Sequence, residues 1–310
     1  MDRKGVASVG ECMLELSARP DGAWTLGYAG DTFNTLWAIR ALTQLPCDYV
    51  SAFGDDPFSA KQTSFFAEAG IGVATSPVIP GARPGLYAIS LTGAERSFTY
   101  WRSDAAARQL ASDPEKLAKS LENRALVYFS GITLAILAPA ARETLLAAAA
   151  TARSAGSLVA FDPNYRPRLW ASSDEAKLAI DQALAVTDIA LPTFPDEQML
   201  CGDASPAATA ERLLAAGARE IVVKDGADPC LVVTEGERTT VPAVHVATPV
   251  DTTGAGDSFN GGYLAARLLG RPPAEAAKLA HRVAAAVVQV RGALAPYETL
   301  RKVFQFEGKV

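Results

Sequence analysis

The sequence predicts a three-layer α/β/α protein, with a mostly parallel central sheet covered by helices on both faces and a small β-sheet lid beside it. Three observations carry this reading. From residue 125 onward, short apolar runs alternate regularly with helical patterns, the order that builds a parallel sheet from βαβ units. Two earlier stretches, about 12–29 and 84–103, show instead the period-two alternation and turn signals of hairpins. Finally, 310 residues at 49% hydrophobic content can build one large core, and no internal repeat or low-complexity linker divides them. Residues 1–310 are therefore expected to form a single domain, with the lid made by about 12–29 and 84–103.

Taken in order, residues 6–9 read as a buried strand, and 10–17 (G-E-C-M-L-E-L-S) as a half-exposed one. Asp21-Gly22 is a turn signal, and 24–28 is the returning arm. A-G-D-T-F-N at 29–34 is a small-residue turn before a helix over 35–42. A strand over 49–53 ends at G-D-D (54–56), and a helix over 58–69 stops at Gly70. Residues 86–91 and 96–101, joined by T-G-A-E (92–95), make a hairpin rich in aromatics: Tyr87, Phe98, Tyr100 and Trp101. Strands over 126–129, 158–161, 189–191 and 220–224 then alternate with helices over 139–155, 173–186 and 206–216 and a short segment at 196–200. An edge hairpin pairs 230–234 with 238–241. A β-like run over 240–247 leads through V-D-T-T-G-A-G-D-S-F-N (250–260) into a helix over 259–269. Helices over 274–290 and 297–304 close the chain.

Composition removes several function classes. Net charge is −5 with acids and bases mixed along the chain, so there is no basic stripe to hold nucleic acid. No apolar run reaches membrane-spanning length, and residues 1–4 lead straight into a strand, so a cytoplasmic location is expected. Cys12, Cys47, Cys201 and Cys230 lie far apart, and the only histidines are His245 and His281. The cysteines are expected to be reduced, and a structural zinc site is not supported. Neither G-x-G-x-x-G nor G-x-x-x-x-G-K-[ST] occurs, which leaves a dinucleotide fold and a P-loop without support.

Ligands of an open parallel sheet bind beyond the carboxyl ends of its strands. Polar groups follow strand candidates at 10–11, 54–56, 130–131, 162–166, 192–193, 224–226 and 251–257. Any one of these is an ordinary polar loop; together they describe a crevice along one end of the sheet. The most specific is Gly254-Ala255-Gly256-Asp257, a turn opening a helix. Its glycines permit close approach, and the free N–H groups and dipole of a helix N-terminus suit a phosphate. Asp257 inside that anion cradle reads either as a helix cap or as a general base, removing a proton from a hydroxyl that attacks a γ-phosphate.

The longer string D-T-T-G-A-G-D-S-F-N-G-G (251–262) resembles the C-terminal signature of the ribokinase-like (PfkB) carbohydrate kinases, and G-D-T-F-N (30–34) matches their sugar-holding glycine turn. Within that family the chain looks most like the 2-keto-3-deoxygluconate kinases. The matching strings are V-G-E-C-M-L-E-L-S (9–17), R-P-G-L-Y (83–87), F-T-Y-W-R (98–102), S-G-I-T-L-A-I-L (130–137) and F-D-P-N-Y-R-P-R-L-W (161–170). They run in order from about residue 6 to residue 296.

The resemblance implies a ribokinase-like fold and transfer of a phosphoryl group from ATP to the terminal hydroxyl of a sugar acid. Asp257 would be the base, with backbone donors at Gly254, Ala255 and Gly256. It implies that Arg102 and Arg166 hold the carboxylate, that Tyr87 and Tyr100 meet the sugar from the lid, and that Gly30, Asn34 and, less directly, Asp31 and Glu15 serve the same pocket. On residue type alone, Arg102 is equally a surface strand residue, and Tyr87 and Tyr100 the core of the lid. The implied nucleotide site takes in Asn164, Thr193, Lys224, Gly226, Ala284 and Val287, the last two being equally core positions of an Ala-rich helix. The family's Asn-x-x-Glu stands here as Thr193-Phe-Pro-Asp196, so water-held Mg²⁺ is expected at Asp196 or its neighbour Glu197. A monovalent cation, K⁺, is implied near Asp251, Thr253 and Gly292. The aromatic lid is expected to pair with another copy, giving a dimer or larger oligomer. The alternatives are another sugar kinase of this fold, such as a fructokinase or ribokinase, and a non-catalytic sugar-acid sensor.

Overall fold

Nine strands make the central sheet of the computed structural model, which describes residues 5–19, 21–92 and 95–305. From one edge to the other they are Glu237–Val241, Asp228–Thr234, Glu220–Asp225, Ile189–Ala190, Leu158–Asp162, Leu126–Ser130, Val6–Val9, Cys47–Val50 and Ile71–Gly72. The pairings are parallel except the two within the edge hairpin, where Asp228–Thr234 runs antiparallel to both neighbours. From Val6–Val9 the chain first builds toward one edge, through Cys47–Val50. It then returns to place Leu126–Ser130 on the other side of the first strand. That reversal is the topological switch point, where the loops at the carboxyl ends part into a crevice.

The period of two decides which side chains serve which face. Ala7, Val9, Val127, Phe129, Val159, Phe161, Ile221 and Val223 are buried against the helices Pro139–Ser154, Ser173–Leu184 and Pro206–Ala215. Val6, Tyr128, Ala160, Ile189 and Val222 are buried on the opposite face, against Asp31–Leu42, Ala255–Leu268 and Pro273–Val287. Continuing that second face to the strand ends gives Ser130, Asp162 and Lys224, all buried polar residues.

The small sheet has the order Trp24–Ala29, Met13–Ala18, Leu86–Thr92, Glu95–Trp101. The pairs Leu14↔Leu86 and Ser17↔Ile89 join the two hairpins in parallel. Positions 93 and 94 of the expected tight turn lie outside the described residues. Alternation divides the lid residues between two faces. Met13, Tyr87 and Ile89 share a small core with Ala29 and Ala293. Trp24, Leu26 and Trp101 lie on the other face and are exposed.

Several boundaries differ from expectation for identifiable reasons. Both glycine turns are already helix. The helix expected from residue 35 begins at Asp31, and the one expected from 259 begins at Ala255. Small residues cost little in a first turn whose N–H groups have no intrahelical partner anyway. The β-like run over 240–247 stops as a strand at Val241, because Pro242 has no N–H for the ladder. The strand expected over 49–53 is two: Cys47–Val50 in the main sheet, and Phe53–Gly54 paired with Val78–Ile79. Between them the Ser51 amide leaves the ladder and donates to Ser76 Oγ at 3.0 Å. Helices at Pro114–Leu121, capped by Asp113, and at Gly131–Ile136, capped by Ser130, complete the layers. All four cysteines are free, and among the described residues no helix is long and apolar enough to cross a membrane.

Candidate active site

Asp257 sits in the first turn of Ala255–Leu268, and the geometry of that turn depends on Gly254. Gly254 has φ +73°, and a Cβ placed on it would lie 2.7 Å from the Cβ of Ala293. Only glycine meets both demands. The second glycine turn touches the first. A Cβ on Gly30 would come within 2.0 Å of the Glu11 carbonyl oxygen, so the close packing there also excludes a side chain. Gly30 caps Asp31–Leu42, and Asn34 on that helix donates through Nδ2 to Asp257 Oδ2 at 2.8 Å. Thr35 Oγ1 donates to the Asp257 carbonyl at 3.1 Å. Two helix N-termini, 223 residues apart in sequence, are thus joined through the carboxylate of Asp257.

Behind them lies a buried polar network. Lys224 Nζ donates to Asp162 Oδ2 at 2.7 Å and to Asn260 Oδ1 at 2.9 Å. Asn260 Nδ2 donates to Asp162 Oδ2 at 2.7 Å and to the Tyr128 hydroxyl at 3.2 Å. Asp162 Oδ1 accepts the Asn164 amide at 2.9 Å, and Asn164 Nδ2 donates to Asp31 Oδ2 at 2.9 Å. Asn164 holds a positive φ of 35°, a strained conformation fixed by these two bonds. Lys224 is thus paired with Asp162 and also acts by its charge on Asp257, while Asp31 joins the network through Asn164. Desolvation, followed by the charge of Asp31, pushes the Asp257 carboxyl up to about 7; the Asn34 bond and Lys224 pull the other way. Asp31 is raised as well, chiefly by desolvation, against hydrogen bonds from Ser130 and Asn164.

Two cavities open beside the two helix N-termini, one lined by Gly30 and Asp31 and the other by Ala255 and Gly256, while Asp257 and Asn34 lie between them and are in neither wall. The larger, about 880 Å³, is walled by Glu11, Gly30, Asp31, Tyr100, Arg102 and Arg166 among others. Arg102 is ion-paired to the buried Glu11. Burial raises the Glu11 carboxyl against the pull of that guanidinium. Arg166 donates through Nη1 to Asp196 Oδ2 at 2.9 Å. Tyr100 is half exposed, whereas Tyr87 is buried in the lid core with its hydroxyl donating to Glu15 Oε2, and it is not part of the cavity wall.

The second cavity, about 420 Å³, lies over the carboxyl-terminal half. Thr193, Lys224, Gly226, Ala255, Gly256 and Ala284 contribute to its wall. Val287 is fully buried; Val288, one residue on, lines the cavity instead. Asn164 stands between Asp31 and Asp162 rather than in this wall. His281 does line it, edge-on to Phe259 with ring centroids 4.9 Å apart.

The remaining expected residues fall as follows. Glu197 is fully buried, accepts Arg212 Nη2 at 2.6 Å, and is raised to about 7 by desolvation. Asp196 keeps some exposure beside Arg166. Asp251 accepts the amides of Thr253 at 3.0 Å and Gly292 at 2.8 Å, so those three positions do meet. Among the described residues no group of three His, Cys, Asp or Glu side chains could hold a metal ion by itself.

Sequence reasoning assigned no role to Asp162, Asn260, Tyr128 or Glu11. Asp162 and Glu11 each end a strand or directly follow one, and that position was the available signal. The partners of Lys224 lie 62 and 36 residues away, and nothing local marks them.

Comparison with known proteins follows the same outline. The profile of the pfkB family of carbohydrate kinases matches residues 3–300. The 2-dehydro-3-deoxygluconokinase of Dickeya dadantii is 42% identical over 311 aligned positions, covering 97% of this chain and 99% of its own. That of Escherichia coli K12 is 42% identical, covering 96% and 99%. Among solved structures, the fructokinase of Xylella fastidiosa with bound ATP superposes with a TM-score of 0.85 at 23% identity, covering 97% and 98%, and shares the fold. On its sequence and its architecture together, the chain belongs to the pfkB family of carbohydrate kinases.

Proposed function

We propose that the chain transfers the γ-phosphate of ATP to the 6-hydroxyl of 2-keto-3-deoxy-D-gluconate, giving the 6-phospho sugar acid and ADP. The observation that carries the reading is the place of Asp257. Its neighbours Ala255 and Gly256 line one cavity, and its partner Asn34 shares a helix N-terminus with Gly30 and Asp31 of the other. A base there reaches both substrates. Full-length likeness to 2-dehydro-3-deoxygluconokinases supports the choice of sugar.

In this reading residues 1–310 act as one kinase domain under a lid of about 12–29 and 84–103. The sugar acid occupies the larger cavity, its carboxylate toward the wall that bears Arg102 and Arg166, with Tyr100 over it from the lid. ATP, with Mg²⁺ neutralising its phosphate oxygens, supplies the phosphoryl group. The chain offers one side of that site: backbone N–H groups of Gly254, Ala255 and Gly256 at a helix N-terminus, with Lys224 behind Gly256. Thr193, Gly226 and Ala284 are walls for the rest of the nucleotide. Asp196, partly exposed beside Arg166, is the carboxylate nearer to hand for Mg²⁺, since Glu197 is fully buried on Arg212. With few protein ligands, the ion is expected to rest mainly on phosphate and water. K⁺ near Asp251 and Thr253 belongs to the same reading, and replacing it by an organic cation should lower the rate. Asp257 takes the proton of the attacking hydroxyl. Lid closure excludes water, and with it ATP hydrolysis.

The test is ADP formation with ATP–Mg²⁺ and a panel of 2-keto-3-deoxygluconate, 2-keto-3-deoxygalactonate, fructose and ribose. Preference for the keto acids is expected. Asp257→Asn should lower kcat by roughly 10²–10⁴ with little change in KM. A neutral sugar as the best substrate would overturn the substrate assignment, and near-normal turnover of the variant would overturn the base.

A further inference from the structure

The Lys224 ammonium carries three N–H donors, and two of them are taken. One goes to Asp162 Oδ2 at 2.7 Å and one to Asn260 Oδ1 at 2.9 Å. Among the described residues the third has no acceptor. The side chain is only 8% exposed, yet it belongs to the wall of the smaller cavity, with Thr193, Ala255 and Gly256. It is the only lysine or arginine of that wall among the described residues.

A buried ion pair at a strand end is an ordinary tie and weak evidence for stability, so its setting has to decide whether it matters. Both anchors are saturated. Asp162 Oδ2 accepts Lys224 and Asn260, and its Oδ1 accepts the Asn164 amide. Asn260 uses both hydrogens of Nδ2, on Asp162 Oδ2 and on the Tyr128 hydroxyl. Tyr128 is itself buried, its hydroxyl 3.4 Å from Thr35 Oγ1, which holds the Asp257 carbonyl. The backbone under the lysine is pinned as well, the Lys224 amide donating to the Pro192 carbonyl at 2.9 Å. With two bonds fixed to groups that cannot turn, a tetrahedral ammonium has one direction left for its third.

Gly256 keeps that direction open. A Cβ placed on it would have Lys224 Nζ 3.9 Å away and no other atom within 4 Å. The ammonium therefore stands uncovered beside the first turn of Ala255–Leu268, where the free amides of the helix N-terminus lie. The Asp162 carboxylate cancels the net charge of the lysine, so the pair acts as a fixed dipole rather than as a free cation.

We infer that Asp162 and Asn260 are positioning residues for phosphoryl transfer: they aim the Lys224 ammonium, through its third N–H, at the phosphoryl group held beside the Ala255 and Gly256 amides. This rests on the kinase reading above and names the groups that orient the one side-chain cation of that cavity. A lysine on its four-carbon stem is otherwise a mobile point charge. Held in advance, it stabilises charge developing on the phosphoryl oxygens with no reorganisation at the moment of reaction.

The experiment compares wild type with Lys224→Met, Asp162→Asn and Asn260→Leu, and with the two doubles that combine Lys224→Met with each of the others. Steady-state ADP formation gives kcat and KM for whichever sugar of the panel above wild type phosphorylates best. Calorimetry gives binding of that sugar without nucleotide, and denaturant unfolding gives stability. Lys224→Met should lower kcat roughly 10²-fold, the scale of one lost transition-state donor. Asp162→Asn and Asn260→Leu should each lower it roughly tenfold or more, the scale of one hydrogen bond to a charged group. Sugar binding and the KM for the sugar should hardly change. In the Lys224→Met background neither second substitution should lower kcat further, since no ammonium is left to aim. Losses that multiply in the doubles would overturn the inference. So would anchor variants that lose stability but keep kcat once folded, and so would a Lys224→Met variant with near-normal kcat. Asn260→Leu leaves the Asp162–Lys224 pair in place and carries the test if Asp162→Asn does not fold. If wild type forms no ADP with any sugar of the panel, the kinase reading itself fails, and this inference with it.

Discussion

Asp257 is a carboxylate made useful by its neighbours. A free aspartate would be a weak base, ionised far below neutral pH. Here desolvation, with Asp31 and Asp162 nearby, lifts it to about 7, near the pH at which a base serves best. The other groups facing it are Asn34 and Lys224, both of which lower it. The sign of the pH dependence follows. The proposed base acts deprotonated, so kcat/KM should fall as pH drops through about 7. Asp31→Asn removes the largest charge that raises Asp257, so the acid limb should move to lower pH whatever happens to the absolute rate. A pH–rate profile checks both. An acid limb that does not move in that variant would show that Asp31 does not tune the base. Little of this could be read from the string G-A-G-D. The motif located the carboxylate, but its partners come from residues 31, 34, 162 and 224, which only the fold brings together. Tyr87 makes the converse point. Its place in the matching string suggested sugar contact, and it does share the lid face of Phe98 and Tyr100, but its side chain is buried with its hydroxyl on Glu15, and the cavity wall does not include it.

At the scale of elements, the site is two helix N-termini brought together at the switch point of a parallel sheet. The alternation of strands and helices was legible because it depends on local hydrophobic period, and most strands of the main sheet appear within two residues of where expected, whereas the two-residue strands Ile71–Gly72 and Val78–Ile79 were not expected. The helix starts were less legible, since Gly and Ala in a first turn look like loop. Lys224, Asp162 and Tyr128 reach one side together because each occupies the same parity on its own strand, a consequence of strand pairing that no local window contains. The turn before Ala255–Leu268 is the element least tolerant of change. Gly254→Ala places a side chain at φ +73° and 2.7 Å from Ala293 Cβ. The expected loss is roughly 2–5 kcal/mol, from the left-handed conformation and the overpacking together. Denaturant unfolding should show this as a lower midpoint, with kcat reduced in whatever fraction remains folded, because the amides proposed to hold the phosphate shift with the turn. A variant as stable and as active as wild type would mean that the turn adjusts freely.

For the whole molecule, the lid has two faces with different work. One carries Phe98 and Tyr100 to the wall of the larger cavity. The other exposes Trp24, Leu26 and Trp101, with Trp24 49% and Trp101 56% accessible. These three come from the two outer strands of the four-stranded sheet and share a face by register. Exposed aromatics grouped on one face of a small sheet are a surface suited to a second copy, the association proposed for the lid. Pairing the outer faces would leave both cavities open, and it would stiffen the strands that carry Tyr100 to the larger cavity. The association therefore predicts a link between assembly and substrate affinity. Light scattering should give wild type at least twice the mass of one chain, and a Trp24→Lys, Trp101→Lys double variant the mass of one. The variant should keep its KM for ATP, whose proposed cavity is walled by the other half of the chain, while its KM for the sugar acid rises. A wild-type protein that is monomeric at assay concentration would remove the association. A monomeric variant with an unchanged KM for the sugar acid would instead show that the lid closes without help from its partner.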